Sequence, residues 1–319
     1  MDILNFISWV KGSRIVTSVD GSQTLIPVGL KDPKRDDGYL AGAISVADLT
    51  SAFTPTFIND NVKLGPNTLP DVNNTSNSIA IGSMALSQFS GGIDNIAIGK
   101  EAMKVIANSA YNIAIGNSAM AYDSGNYQNI AIGQNAAAQG AFQDANVSIG
   151  NESAYYHQGA QRNVCIGYAS NNQAGYLTNS VSIGYHAGRL INNFKTYNTF
   201  IGGYSASNQW ISGSYNTALG GQSLANLTTG QYNTAIGVYA LNNHTVGNSN
   251  TVLGAYADVN NGTISGSIVL GRLATSDANN QFVVGSNSYN AGTVTTETVA
   301  STRTWTVKIN GVDRKILLA

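Results

Sequence analysis

A short apolar–small–apolar–Gly unit recurs along most of this chain and constrains the fold more than any other feature. Its glycine falls at Gly82, Gly99, Gly116, Gly133, Gly150, Gly167, Gly184, Gly202, Gly220, Gly237, Gly254, Gly271 and Gly285. The intervals are 17 six times, then 18 twice, 17 three times and finally 14. The residue before the glycine is always Ile, Leu or Val, as in Ile81, Ile98, Leu219 and Val284. Two residues earlier stand Ile79, Ile96, Ile113, Ile130, Val147, Val164 and Val181, followed by Thr199, Thr217, Thr234 and Thr251. A spacing of two is strand alternation, which puts both side chains on one face, and that face is read here as the core side. The residue between them is small (Ala80, Ala97, Ala114, Ala131, Ser148, Ser182, Ala218, Ala235), so the opposite face must lie close to another backbone. One 17-residue unit cannot bury its own isoleucines, whereas stacked copies can. At a strand spacing of about 4.8 Å, thirteen coils make a solenoid roughly 60 Å long.

Other slots repeat with the same period. Four residues before the glycine stand Asn95, Asn112, Asn129, Asn146, Asn163, Asn198, Asn216, Asn233 and Asn250. In a stack these amides lie above one another, and each can bond to the next coil while satisfying the turn backbone. Ala85, Ala102, Ala119 and Ala136 follow the glycine by three, another small slot. The glycines themselves fit a tight corner where a side chain would clash or φ must be positive.

Composition agrees with a repetitive β structure. Only 10% of residues are charged, the formal net charge is −1, and 35 of 319 residues are glycine. Near-neutrality argues against a chain-wide nucleic-acid or polybasic membrane footprint. The single cysteine, Cys165, excludes an intrachain disulfide framework and a cysteine-rich zinc site. No run approaches the roughly 18 apolar residues of a membrane span. The N-terminal stretch from Met1 to Lys11 has no basic leader and no small-residue cleavage site after it, so no signal peptide and no membrane insertion are expected.

The segments Asn77-Ser78-Ile79-Ala80-Ile81-Gly82, Asp94-Asn95-Ile96-Ala97-Ile98-Gly99 and Asn179-Ser180-Val181-Ser182-Ile183-Gly184 resemble the head repeat of YadA-like trimeric autotransporter adhesins, a repeat also found in bacteriophage fibre proteins. The resemblance spans about residues 77–289. It implies a left-handed parallel β-roll, with three rolls packed around a three-fold axis. Two features depart from the adhesins: the period is mostly 17, longer than their commonest coil, and no signal peptide, heptad stalk or C-terminal anchor is read. Phage fibres need none of these.

The expected fold is therefore all-β: a homotrimeric left-handed parallel β-roll of about 13 coils over residues 71–290. Residues 1–70 carry 13 of the 33 charges and all five prolines, and are expected to form a small β-containing attachment domain or arm. Residues 291–319 contain Asn310-Gly311 between alternating stretches, the strongest short hairpin signal, and are expected to cap the stack.

The remaining polar residues form no recognisable catalytic constellation. His157, His186 and His244 have no metal or relay spacing; His186 occupies a slot that elsewhere holds Met84, Glu101, Ser118 and Tyr204, which reads as solvated surface. Cys165 occupies the small slot and reads as packing. Of three glutamates, Glu101 and Glu152 share a slot three coils apart, roughly 14 Å, beyond the roughly 5–10 Å of glycosidase pairs. Aspartates such as Asp94, Asp123 and Asp144 could still pair across subunits, which is not expected. No cofactor, metal or catalytic residue is expected.

What remains is surface. Tyr168, Tyr185, Tyr204, Tyr239 and Tyr256 occupy the first or second slot after the glycine, and Trp210 lies in a loop. Exposed aromatics beside Asn and Gln suit glycan or protein contacts, although stacking along the solenoid would serve equally; Tyr111, Tyr197, Tyr215 and Tyr232, five before the glycine, read as structural stacking. The expected protein is a non-enzymatic bacteriophage virion fibre or fibre-like decoration. It would bind other virion proteins through residues 1–70 and a host-surface glycan or protein through the repeats. A bacterial cell-surface adhesin and a solenoid polysaccharide-degrading enzyme are the alternatives. An ice-binding face made by the threonine column is not expected, because those threonines replace residues read as core-facing.

Overall fold

The computed structural model describes residues 60–288 except 71–74, 123–126, 143, 192–194 and 209–210, together with strands at 16–17, 24–31, 39–45, 56–58, 304–309 and 312–317. The repeat folds as a parallel β-solenoid. Each copy contributes a three-residue strand, such as Ile79–Ile81, Ile96–Ile98 and Ile113–Ile115. Successive strands pair in register, with Ile96 on Ile113, Ala97 on Ala114 and Ile98 on Ile115. The stack forms one 15-stranded sheet. Where the interval lengthens to 18, Val181 still pairs Thr199 and Ile183 pairs Ile201, so the extra residue is absorbed elsewhere in the coil. No α-helix occurs among the described residues, and none there is long and apolar enough to cross a membrane.

The sheet begins one coil earlier than the thirteen glycines indicate. Asn61–Leu64 pairs in parallel with Ile79–Ile81, and Thr56–Ile58 adds to it antiparallel. Asn61, Val62, Leu64 and Gly65 keep the repeat's slots, but Lys63 stands in the small one and hides the copy from a pattern search. Lys63 is tolerated because at the end of the stack that position is only half-buried.

The strand faces the opposite way from the sequence expectation. Ala80, Ala97, Ala114, Ala131, Ala218 and Ala235 point inward with no exposure, whereas the Ile, Val and Thr columns point out of the coil. Leu219 is 44% exposed, Leu253 48% and Phe282 69%. The reason is thickness. The interior is closed from behind by Ala85, Ala102, Ala119 and Ala136 and by Leu86, Met103 and Met120, all fully buried, which leaves room for a methyl group and little more. Where the small slot holds Phe200, glycine replaces the bulky residue nearby: a Cβ on Gly188 would lie 3.1 Å from the Phe200 ring. The threonines Thr199, Thr217, Thr234 and Thr251 face outward as well, which removes the reason given above for setting aside an ice-binding face.

A second wall, half a coil from the main sheet, is built of parallel strands of two to five residues. Gln139–Phe142, Tyr156–Ala160, Gln173–Ala174 and Leu190–Ile191 form its longest sheet. The interior divides into two apolar clusters, one from Leu69 to Cys165 and one from Leu177 to Ala274, and the coils between them bury Ser153, His157, Ser170, Asn171 and Ser182. Outside the solenoid, strands 24–31 and 39–45 pair antiparallel, as do 304–309 and 312–317, with Ile309 opposite Val312. Asn310, Gly311 and the charged segment 32–38 lie outside the described residues.

Candidate contact surface

The main strand is held between two corners. At the first, the asparagine ladder runs through the buried interior. Asn112 Oδ1 accepts the backbone N–H of Asn129 at 2.9 Å and its Nδ2 at 3.2 Å, and Asn129 Oδ1 does the same for Asn146 at 2.8 and 3.0 Å. Serine stands in at three coils, where Ser78 Oγ and Ser180 Oγ accept the N–H of Asn95 and Asn198 at 3.2 Å and Ser267 Oγ accepts that of Gln281 at 3.3 Å. The residue before the ladder adopts a left-handed conformation, with φ of 62° at Tyr111, 57° at Tyr197 and 58° at Tyr232, and its side chain is thrown outward. At the second corner the glycine turns the chain: Gly133 has φ +133°, and a Cβ there would lie 2.5 Å from the Gly150 carbonyl oxygen.

These corners carry aromatic columns along both margins of the apolar sheet face. Before the strand, Tyr197 and Tyr215 stack with centroids 5.4 Å apart and planes 11° from parallel, and Tyr215 and Tyr232 at 4.9 Å and 5°. After it, Tyr168 stacks on Tyr185 at 5.3 Å and 13°, and Tyr239 on Tyr256 at 5.0 Å and 10°. Tyr185 meets Tyr204 edge-on at 5.2 Å. Tyr168, Tyr185, Tyr204 and Tyr256 are 43–48% exposed, and Tyr239 is half-buried. Trp210 lies outside the described residues. Rings stacked in a column occupy one another's faces, so what they offer a ligand is mainly edges and hydroxyls.

His186 is half-buried, packed into the tyrosine column of this corner. Its ring stacks on Tyr204 at 5.4 Å and lies 4.2 Å from Tyr185. Burial, and secondarily the Arg189 guanidinium, hold its pKa below the usual histidine value. His157 is buried and its Nε2 bonds to the Asn171 carbonyl at 2.8 Å; burial takes its pKa down to about 4. His244, bonded to the Gly247 carbonyl, is lowered for the same reason. Cys165 is 1% exposed, and burial pushes its thiol up to about 12, so it fills the small slot as a packing residue.

Three of the carboxylates singled out in the sequence are engaged locally. Glu101 pairs with Lys104 at 3.5 Å and with Lys100 at 3.9 Å. Glu152 accepts from Asn172 Nδ2 at 3.4 Å, and Asp144 Oδ1 accepts the Tyr127 N–H at 3.1 Å. Asp123 lies outside the described residues. Among the described residues, no three His, Cys, Asp or Glu side chains come together as a metal site.

Two surfaces escaped the sequence reading. One is the outward apolar face itself. The other is a set of tyrosines on the second wall: Tyr122 is 49% exposed, Tyr156 48% and Tyr176 40%. Tyr155 packs edge-on against Tyr156 at 4.5 Å, and its hydroxyl accepts from Gln139 Nε2 at 2.8 Å. The faint signal for them is the slot six residues after the glycine, which holds Tyr122 and Tyr156 but Gln88, Gln139 and Gln173 elsewhere. The chain matches no protein-family profile and no curated protein.

Proposed function

We propose that this chain is a non-enzymatic fibre protein of a bacteriophage virion, a homotrimer of left-handed β-rolls that serves host attachment. The observation that carries this reading is the apolar face of the main sheet. It runs from Val62 to Val284 along one side of the solenoid, with Thr199, Thr217, Thr234 and Thr251 in one of its two columns, and has no partner among the described residues. In a three-fold assembly the three faces wall a triangular prism. A face about 13–20 Å wide (four to six residues) puts each wall roughly 4–6 Å from the axis, close to the half-spacing of about 5 Å at which apolar sheet faces pack. The isoleucine columns then fill the axis, and the alanine slot faces inward because each roll is thin.

With the apolar face turned to its own kind, the second wall faces outward. There Tyr122, Tyr156 and Tyr176, with their neighbouring glutamines, supply the flat aromatic and amide groups that a host glycan or protein surface would use. Three such walls raise avidity without a strong single contact. Residues 1–70 attach the fibre to other virion proteins, and the C-terminal hairpin closes the stack.

Light scattering on the purified protein tests the assembly. A mass near three times 33.3 kDa is expected, falling towards a single chain in an Ile113→Lys/Ile115→Lys variant. A monomeric parent protein overturns the fibre reading.

A further inference from the structure

The second wall carries one outward column, six residues after each glycine, in which Tyr122, Gln139, Tyr156 and Gln173 pair rung upon rung. The residue after each rung turns inward, since Phe89, Ile106, His157 and Ile191 are all buried. From Gln88 to Leu190 the column contains no charged residue. Tyr122 and Tyr156 stand two rungs apart, about 9.6 Å. That is too far for their rings to stack, so, unlike the corner tyrosines, they do not cover each other's faces. We infer that this column binds a neutral, linear, β-1,4-linked glycan laid along the solenoid axis, with every second sugar ring on a tyrosine and the rings between them on Gln139 and Gln173. The inference rests on the proposal that the second wall meets the host, and not on the number of copies in the assembly.

Spacing selects the linkage. An extended β-1,4 chain is a straight ribbon whose alternate rings are flipped, so every second ring presents the same face, and two linked rings advance about as far as two coils do. Chemistry selects the sugar. The C–H face of a pyranose suits an aromatic ring, its hydroxyls suit amides that both donate and accept, and an uncharged column suits an uncharged chain. The centre of the column is also set before a ligand arrives. Tyr155 packs against Tyr156 with planes 79° apart, and its hydroxyl accepts from Gln139 Nε2 at 2.8 Å, which lowers the cost of ordering these groups on binding. On the flank, the ring of Tyr176 packs against Gly159, where any Cβ would collide with it. A protein partner would call for a cluster of anchors buried together, whereas the two rings here stand apart with an amide between them.

Isothermal titration of the full chain tests this with cellobiose and cellotetraose, with the dimer and tetramer of β-1,4-linked N-acetylglucosamine, and with maltotetraose, whose α-linked chain curls away from a straight column. The variants are Tyr122→Gln and Tyr156→Gln, since glutamine already fills this slot in neighbouring coils; light scattering and thermal midpoints are recorded on each. The expected result is a β-linked tetramer that binds about tenfold or more tightly than its dimer, falls to the dimer's affinity in either variant, and outbinds maltotetraose. Binding of neither β-linked tetramer, or a tetramer affinity that both substitutions leave unmoved, overturns the axial glycan site in favour of a protein occupant, and a trimer mass in the same samples leaves the fibre reading standing. Maltotetraose binding as tightly as the β-linked tetramers overturns the straight-chain geometry. A monomer that shows the expected length dependence supports the site and overturns the fibre reading.

Discussion

The asparagine ladder predicts a graded response to substitution at Asn129. Its Oδ1 accepts two bonds from Asn146, and its Nδ2 donates to Asn112 Oδ1 at 3.2 Å. All three residues are at most 1% exposed. Asn129→Ala spares some of these groups: Asn146 Nδ2 keeps the Ala160 carbonyl at 2.7 Å, and Asn112 Oδ1 keeps the Asn129 N–H at 2.9 Å. The backbone N–H of Asn146, however, loses its acceptor where water does not reach. One orphaned buried donor costs about 1–3 kcal/mol, and the lost side-chain bonds add about 1, for a total of about 2–4 kcal/mol. Asn129→Ser should cost only about 1 kcal/mol, because Ser78 and Ser180 show that a serine Oγ in this slot reaches the next coil's N–H at 3.2 Å. Hydrogen exchange at the Asn146 amide is the direct assay, since it reads local opening. At about 1.4 kcal/mol per tenfold, the alanine variant should exchange roughly 30-fold faster or more, and the serine variant within about fivefold of the parent. Equal exchange in the alanine and serine variants would refute the acceptor argument.

Three further outcomes follow from the same geometry. Gly133→Ala forces a Cβ against the Gly150 carbonyl at a φ of +133° and should cost about 3 kcal/mol or more, whereas Gly203→Ala, with nothing within 4 Å of its Cβ, should stay within about 0.5 kcal/mol; thermal midpoints compare the two. Above pH 6.5 His157 is neutral both folded and unfolded, but between 6.5 and about 4 only the unfolded chain takes up the proton. Stability therefore falls with pH across that window, by on the order of 3 kcal/mol from this residue, and denaturant unfolding at pH 7 and 4.5 should show a smaller difference in His157→Ala. Cys165, 1% exposed and with its thiol pushed up to about 12, should resist a thiol reagent at pH 8 until the chain is unfolded, which a colorimetric titration measures.

Much of the fold was legible because a solenoid writes its architecture as a period. Thirteen glycines in register, a two-residue alternation before each and an asparagine four places earlier fixed the strand, the corner and the ladder, and the observed pairing of Ile96 with Ile113 follows from the 17-residue interval. The first coil was missed for a local reason: Lys63 breaks the small slot at an end where no neighbouring coil demands it. The facing of the strand was missed for a general one. Alternation separates two faces, but when one holds isoleucine and the other alanine, both are apolar, and hydropathy gives no sign for which is inside. Volume decides, and volume is a property of the coil's cross-section, set by Leu86, Met103 and Met120 several residues away. The tyrosines of the second wall escaped because only Tyr122 and Tyr156 share a slot, one that holds other residues in most coils, and the wall itself is known only once the coil closes.

The inversion of that face bears on how the chain is stabilised. In an ordinary domain the large aliphatic residues supply burial within one chain. Here the positions buried on folding a single coil are mainly alanine, serine and asparagine, whose burial contributes little by area, while Ile79, Ile81 and their counterparts wait on the outside. A lone solenoid would thus keep its backbone pairing and amide ladder but forgo much of the hydrophobic term, at about 25 cal/mol per Å² of apolar area left in water. Association through the sheet face would recover it in one step for all coils together, since the columns are continuous. On this argument folding and assembly are coupled. The threonine coils from Thr199 to Thr251, which bring less apolar area to the face than the isoleucine coils, are where the assembled stack should open first, and hydrogen exchange faster in those coils than in the coils from Ile79 to Val181 would register it.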